Sequence, residues 1–445
     1  MKFGGTSVGD AAAIERLVTI VADARAEQPL VVVSAMSKIT NALVALDDLI
    51  AAGDASAIEY AIAELEARHA VAADGLQLAA ITQAPIGELF AALRQAAVAG
   101  LSQPSSPERR DLICGFGELL SSRLVVGAFD ARRVQVEWFD ARSAITTDDH
   151  FGAAIPRESE IEARAQRLLP VLTAGRVVVT QGFIGATRDG VPTTLGRGGS
   201  DFSAALFGAA LGASRVEIWT DVDGLMSADP RVVPEARLLA SATYDEAAEL
   251  AAFGAKVLHP ATQLPLVEAG IPIVIRNTFA PERPGTWIRA DDGEEDALPV
   301  RSISFKPGVT VVQIRAPRML GAYGFLRRIF EVFERHEVVV DVLATSEVSV
   351  SLTVDDVSRL DAVIRDLRLV GEVGVRAQRG VIAVVGRGIR ETPGIAARVY
   401  TAIADVNVEM ISQGASASNL TFIVKEADGP AVVRALHRTF FPEVA

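Results

Sequence analysis

Lys2 is followed at once by an apolar residue, two glycines and two hydroxyls, in the order Lys2-Phe3-Gly4-Gly5-Thr6-Ser7-Val8-Gly9-Asp10. Paired glycines let backbone N–H groups come close to a ligand. Thr6 and Ser7 add hydroxyl donors, and Asp10 suits the N-cap of a helix predicted over residues 10–26. A helix N-terminus favours an anion. With a cation already in place, the combination reads as a phosphate site. Two other readings fit the same letters. Gly5-Thr6-Ser7-Val8-Gly9 matches the G-x-S-x-G nucleophile elbow, which needs a preceding strand where only residues 1–3 stand. A purely structural tight turn is the other.

Three more clusters carry chemistry. Thr193-Thr194-Leu195-Gly196-Arg197-Gly198-Gly199-Ser200-Asp201 follows a strand and a hairpin and precedes a helix at residues 202–211. Arg197 can hold a carboxylate by two parallel hydrogen bonds. Asp201 either caps that helix or joins a site, since loops after strands are where α/β ligands bind. Thr220-Asp221-Val222-Asp223-Gly224, continuing to Asp229-Pro230-Arg231, sets acids just past a strand. They suit ribose hydroxyls or a metal, or a plain Asp-Gly turn. Phe253-Gly254-Ala255-Lys256 puts a lysine at a predicted helix start, and His259 before Pro260 reads as structural. No G-x-x-x-x-G-K-[ST] and no G-x-G-x-x-G occurs, so neither a P-loop nor a dinucleotide fingerprint is present. Two glycine loops at helix starts and two lysines suit nucleotide phosphates spread across the end of a sheet.

The elements that must position these residues alternate. Strands are predicted at 30–35, 134–139, 176–183, 215–220 and 271–276, with helices such as 55–72 and 107–131 between them. That alternation marks an α/β layer fold. Arg188-Asp189-Gly190 reads as a hairpin turn. Pro281, Pro284, Gly285 and the acidic run at 291–296 mark a boundary. Beyond it a pattern repeats about 70 residues apart, from Gly324 to Gly394. Each unit reads as a ferredoxin-like βαββαβ module. The expected domains are 1–290, a linker at 291–307, then 308–378 and 379–445. Neither module holds a nucleophile–base pair, so they read as ligand-sensing or dimerising.

Composition narrows the class. A chain of 445 residues, half of them hydrophobic, suits two or three domains. The single cysteine, Cys114, excludes a disulfide framework and reads as a small buried residue. A formal net charge of −13 argues against nucleic acid. It also means that an anionic substrate must be drawn in by local cations. The five histidines lack metal-ligand spacing. No basic-apolar leader and no uninterrupted eighteen-residue apolar stretch is read, so a cytoplasmic protein without membrane contact is expected.

Residues 2–8 (KFGGTSV), 34–41 (SAMSKITN), Gly117-Glu118, 194–201 (TLGRGGSD), 220–224 (TDVDG), 229–231 (DPR) and 253–260 (FGAKVLHP) together resemble the aspartate kinase family. The length is similar to the monofunctional, lysine-sensitive type without a fused homoserine dehydrogenase. The resemblance implies an amino-acid-kinase fold, a three-layer αβα sandwich, followed by two ACT domains. It implies that ATP and L-aspartate give ADP and 4-phospho-L-aspartate, on the route to lysine, threonine and methionine. Mg²⁺ would arrive with ATP, with no metal held by the protein alone. Lys2 would contact the transferring phosphoryl group and Asp201 would organise Lys2 and the substrate. Arg197 would hold the substrate α-carboxylate and Glu118 its ammonium, with Thr40 and Ser200 adding hydrogen bonds. Phe3, Gly4, Gly5 and Ser34 would line the phosphates. Thr220, Asp221, Met226, Arg231 and Lys256 would bind the nucleotide. Met319, Ala322, Phe325, Leu326, Asp341, Ser346 and Glu347 would form an effector site, with Asp341 on a lysine ammonium. ACT domains would pair two or four copies of the chain. Ala322 stands where a bacterial lysine-sensitive form has serine, and Met226 where some relatives have an adenine-stacking tyrosine. Two alternatives accompany the reading: another amino-acid kinase of this fold, and a catalytically inactive amino-acid sensor.

Overall fold

The computed structural model describes residues 1–101, 103–254, 260–291, 299–316 and 323–442. Short β-branched runs bury both faces when a parallel sheet is covered by helices. Leu30–Val33 (LVVV) and Val177–Gln181 (VVVTQ) are such runs and pair in parallel. They lie in an eight-stranded sheet ordered Val136–Phe139, Val177–Gln181, Leu30–Val33, Lys2–Phe3, Val216–Thr220, Ile273–Asn277, Thr286–Arg289, Ser241–Thr243. Only the pair Ile273–Asn277 and Thr286–Arg289 is antiparallel.

Lys2–Phe3 is flanked by Leu30–Val33 on one side and Val216–Thr220 on the other. The chain builds outward on the first side through residue 181, then returns to build the second. Strand order therefore reverses at Lys2–Phe3, and the crevice past the strand ends at such a reversal is where α/β sheets bind ligands. Phe3 is fully buried and stacks on Trp219 at 5.8 Å, which fixes this two-residue strand in the sheet.

Two helices bring side chains to that crevice. Pro107–Ala131 starts at the Ser106 cap, whose hydroxyl accepts from Arg109 N, with proline in the first turn. It is long and apolar enough to cross a membrane, but most of it is buried inside the protein. It packs with Ala11–Asp23 and Ile39–Ala52. Gly199–Ala210 packs on Lys2–Phe3, Leu30–Val33 and Val216–Thr220. Asp10 does cap Ala11–Asp23, accepting from Ala13 N at 2.8 Å. The Asp-Gly hairpin is also present, joining Ile184–Thr187 to Pro192–Thr194 with Gly190 at φ +83°.

The chain divides into two compact units. Of the described residues, the first contains 1–101, 103–225, 240–244 and 260–291, and the second 226–239, 245–254, 299–316 and 323–442. The second unit holds a six-stranded sheet ordered Leu343–Thr345, Ser349–Val354, Ser302–Arg315, Glu372–Val385, Asn419–Lys425, Met410–Gln413. The two central strands run 14 residues each and serve both modules. Thr310 to Arg315 pairs within the first module, whose core holds Val312, Ile329, Phe333, Leu352 and Val363. Ser302 to Lys306 pairs with Val381 to Val385 in the second, whose core holds Ile303, Val384, Phe422 and Phe440.

This differs from the expected boundaries. Among the described residues, 379–442 do not make a complete βαββαβ module by themselves, and 302–306, inside the expected linker, form a strand. The closing strand of the second module is 302–306, which precedes the first module in the chain. The 70-residue repeat could not reveal this, because the missing strand lies outside the repeat. Residues 226–239 also belong to this unit: Ala228 and Val233 join its core, and Ser302 Oγ donates to the Met226 carbonyl at 2.7 Å.

Candidate active site

At the reversal of strand order lies an ion pair. Lys2 Nζ lies 2.7 Å from Asp201 Oδ1, and both side chains are mostly buried, at 11% and 15% exposure. Asp201 does not cap its helix. The N-cap is Gly198, at φ +72° with no side-chain bond, so the Asp201 carboxylate serves Lys2 instead. Gly4 follows the lysine, and a Cβ there would lie 3.7 Å from Nζ. Its bareness leaves backbone beside the ammonium.

The neighbouring loops interlock with this pair. Ser37 N donates to Gly5 O at 3.0 Å, and a Cβ on Gly5 would sit 3.0 Å from the Ala35 carbonyl. Ser34 N donates to Phe3 O at 3.1 Å, and Ser121 Oγ donates to Ser34 O at 2.7 Å. On the far side, a Cβ on Gly182 would stand 2.6 Å from the Ser200 Cβ. The start of Gly199–Ala210, with Ser200 and Asp201, can therefore rest against the end of Val177–Gln181. Ser7 is buried, with its Oγ 2.7 Å from Thr278 Oγ1 and a bond to the Trp219 carbonyl. A serine so engaged, with no base among those partners, is part of a turn and not an elbow nucleophile.

Glu118 arrives from below on Pro107–Ala131. A Cβ on Gly117 would lie 2.8 Å from the Ala35 Cβ, so only glycine lets the helix approach residues 34–38 this closely. Glu118 Oε1 accepts from Ala35 N at 3.0 Å, while Oε2 has no hydrogen-bond partner among the described residues. Burial pushes its carboxyl up to about 8. Such a group holds its proton until a cation arrives. Thr40 is half-buried in the first turn of Ile39–Ala52, entered through Lys38 at φ +67°. Arg197 is exposed between Gly196 at φ +74° and Gly198, and pairs with no described residue.

Thr220 and Asp221 close Val216–Thr220, next to the strand of Lys2. Thr220 Oγ1 donates to Asp221 Oδ1 at 3.2 Å, and Asp221 is exposed. Asp223 is different: Asn277 Nδ2 donates to it at 2.6 Å and Arg283 pairs with it, which makes it a turn anchor. Met226 and Arg231 belong to the second unit, where Arg231 is exposed and pairs with Asp229 at 2.7 Å. The Phe3 side chain lies in the core, so only its backbone can face a ligand. Lys256, Met319 and Ala322 lie outside the described residues. Of the expected effector residues, Phe325 is in the first module's core, Leu326 is partly exposed, and Ser346 and Glu347 are exposed. Asp341 faces Lys306 Nζ at 3.4 Å. The sequence missed Asp111, a buried acid one heptad before Glu118 on the same helix. In sequence it ends the charged run Glu108-Arg109-Arg110-Asp111, so no local signal set it apart.

Comparison with known proteins decides the family. Residues 1–277 match the model of the amino acid kinase family, and residues 382–440 match an ACT domain. The chain is 38% identical to lysine-sensitive aspartokinase 3 of Escherichia coli (strain K12), over 99% of this chain and 98% of that protein. The chain belongs to the aspartokinase family. The fold agrees with that of E. coli aspartokinase III in complex with aspartate and ADP (R-state), at a TM-score of 0.86 and 36% identity over 99% of both chains. Against the same enzyme in complex with lysine and aspartate (T-state), the TM-score is 0.85 and the identity 37%, over 99% and 98%. As an aspartokinase the chain is a phosphotransferase with a carboxyl group as acceptor.

Proposed function

We propose that the crevice around Lys2 is where this aspartokinase transfers the γ-phosphoryl group of ATP to the β-carboxylate of L-aspartate, releasing ADP. The buried Lys2–Asp201 pair beside Gly4, at the reversal of strand order, carries the reading. The nucleophile is itself a carboxylate, with a free pKa of about 4, already ionised at neutral pH. No general base is needed, which fits a crevice whose lining includes no histidine among the residues named above. The barrier is the repulsion between a carboxylate and a polyphosphate, and fixed cations and alignment overcome it.

In this reading Lys2 stabilises charge on the transferring phosphoryl group, and Asp201 holds Lys2 in place. Gly4, Gly5 and Ser34 line the phosphates with backbone and hydroxyl donors. Arg197 takes the α-carboxylate of aspartate and the unpartnered oxygen of Glu118 takes its ammonium, with Thr40 and Ser200 bordering both. Thr220 and Asp221 face the nucleoside. Mg²⁺ enters bound to the ATP phosphates. Likeness to a lysine-sensitive relative extends the proposal to feedback by lysine through Asp341, Ser346 and Glu347, and to an ACT-paired dimer or tetramer in the cytoplasm.

One assay tests the activity and its control. ADP release by the purified chain is followed with L-aspartate, then L-glutamate, then L-aspartate with added lysine. Release with aspartate, little with glutamate, and a lower rate with lysine are expected. Equal rates with both acids would remove aspartate as the specific acceptor, and an unchanged rate with lysine would remove the feedback.

A further inference from the structure

A buried carboxylate without a cation is costly unless several donors converge on it. Asp111 is 3% exposed and has no ion-pair partner among the described residues. Three donors meet it. Gly152 N donates to Oδ2 at 2.9 Å, Thr194 N to Oδ2 at 2.8 Å, and Thr194 Oγ1 to Oδ1 at 2.7 Å. Burial nevertheless raises its carboxyl above the usual range. These donors come from two separate segments, which also bind one another: Ala154 N donates to Thr194 O at 2.9 Å. Gly196 packs on the same place, since a Cβ there would lie 3.1 Å from the Gly152 carbonyl. Thr194 is three residues before Arg197.

Asp111 and Glu118 share the helix Pro107–Ala131. Seven residues apart, they project to nearly the same side, about 10 Å apart along the axis. One rigid helix thus carries Glu118 itself and, two turns away, the carboxylate that ties down the base of the Arg197 loop. The start of Gly199–Ala210 has its own anchor, because Phe183 N donates to Ser203 Oγ at 3.0 Å and Ser203 Oγ donates to Gly199 O at 2.9 Å. Asp201 therefore does not depend on Asp111.

We propose that Asp111 is a positioning residue for substrate selection: it fixes Arg197 relative to Glu118, so that the carboxylate and ammonium of one α-amino acid are gripped at a set spacing. The proposal rests on the assignment of Arg197 and Glu118 to the amino-acid substrate. It places the effect of Asp111 on aspartate binding and not on phosphoryl transfer or ATP.

The chemistry of the contacts supplies a rescue. An asparagine can put Oδ1 where Asp111 accepts both N–H groups and turn Nδ2 toward Thr194 Oγ1, which then accepts. Asp111→Ala is expected to raise the KM for aspartate about tenfold or more, with kcat and the KM for ATP changed less than about threefold. Asp111→Asn should bring the aspartate KM back to within about threefold of the native value. Thr194→Val, a milder change that keeps the backbone bonds, should raise it by about three- to tenfold, and serves if the alanine variant does not fold. Steady-state kinetics with each substrate varied, with circular dichroism as the folding check, reads all three. An aspartate KM unchanged in Asp111→Ala or in Thr194→Val, equal losses for both substrates, or no rescue by asparagine would overturn the proposal. Arg197→Ala, measured alongside, separates the two layers: an unchanged aspartate KM there defeats the substrate assignment itself.

Discussion

Glu118 is buried with one oxygen bonded to Ala35 N and the other without a partner among the described residues, and its carboxyl is pushed up to about 8 by burial. A carboxyl whose folded pKa lies above its unfolded value near 4.5 stabilises the fold fully only below that value, and loses the contribution as pH rises toward 8. Glu118→Gln removes the titration. Its melting temperature, measured by calorimetry without substrate, should gain on the native protein steadily between about pH 5 and pH 8. An ammonium against Glu118 favours the charged form, so in native protein the KM for aspartate should fall between about pH 6 and pH 8, and in Glu118→Gln that trend should vanish. A flat melting difference across that range would show that Glu118 is not held neutral. Residue type alone announced a lysine among glycines and an arginine between glycines. It could not announce the protonation of Glu118, which depends on a helix packing against a loop 83 residues away in sequence.

The elements converge through small residues. Gly182 lets the end of Val177–Gln181 touch the first turn of Gly199–Ala210, where a Cβ would come within 2.6 Å of the Ser200 Cβ and 2.7 Å of its Cα. Backbone cannot yield to that contact cheaply, so Gly182→Ala should displace Ser200 and Asp201. The expected result is a kcat lowered about tenfold or more with a smaller loss of folding stability, since a shift near 1 Å at a reacting group is costly. Unchanged kcat would mean that the helix start is not set by this contact. Five of the strands were legible, because buried β-branched runs between helical stretches have few other solutions, whereas Lys2–Phe3 was not, being only two residues long. The Asp-Gly hairpin and the Asp10 cap were legible for the same local reason. The closing strand 302–306 was not, because its partner at 381–385 is specified by a sheet spanning both modules and not by any local pattern. Asp201 was ambiguous in sequence, as a cap and a site carboxylate share the same position. Only its contact with Lys2 separates the two.

At the scale of the molecule, the proposed reacting centre draws on distant parts of the chain. Lys2 comes from the central strand, Glu118 from the long buried helix, and Asp201 from the helix after the second glycine loop. The net charge of −13 repels both anionic substrates, so the local cations must do the attracting. The regulatory sheet holds residues 226–239 in the same compact unit as the ACT modules, a placement that linear domain boundaries hide. In the proposed reaction Lys2 supplies the charge at the transferring phosphoryl group. Its most direct measurement is the kcat of Lys2→Ala for aspartate-dependent ADP release, with circular dichroism confirming the fold. Loss of one such preorganised electrostatic stabiliser should lower kcat by at least about 10²-fold while the variant remains folded. Turnover near the native rate in a folded Lys2→Ala would remove Lys2 from that role.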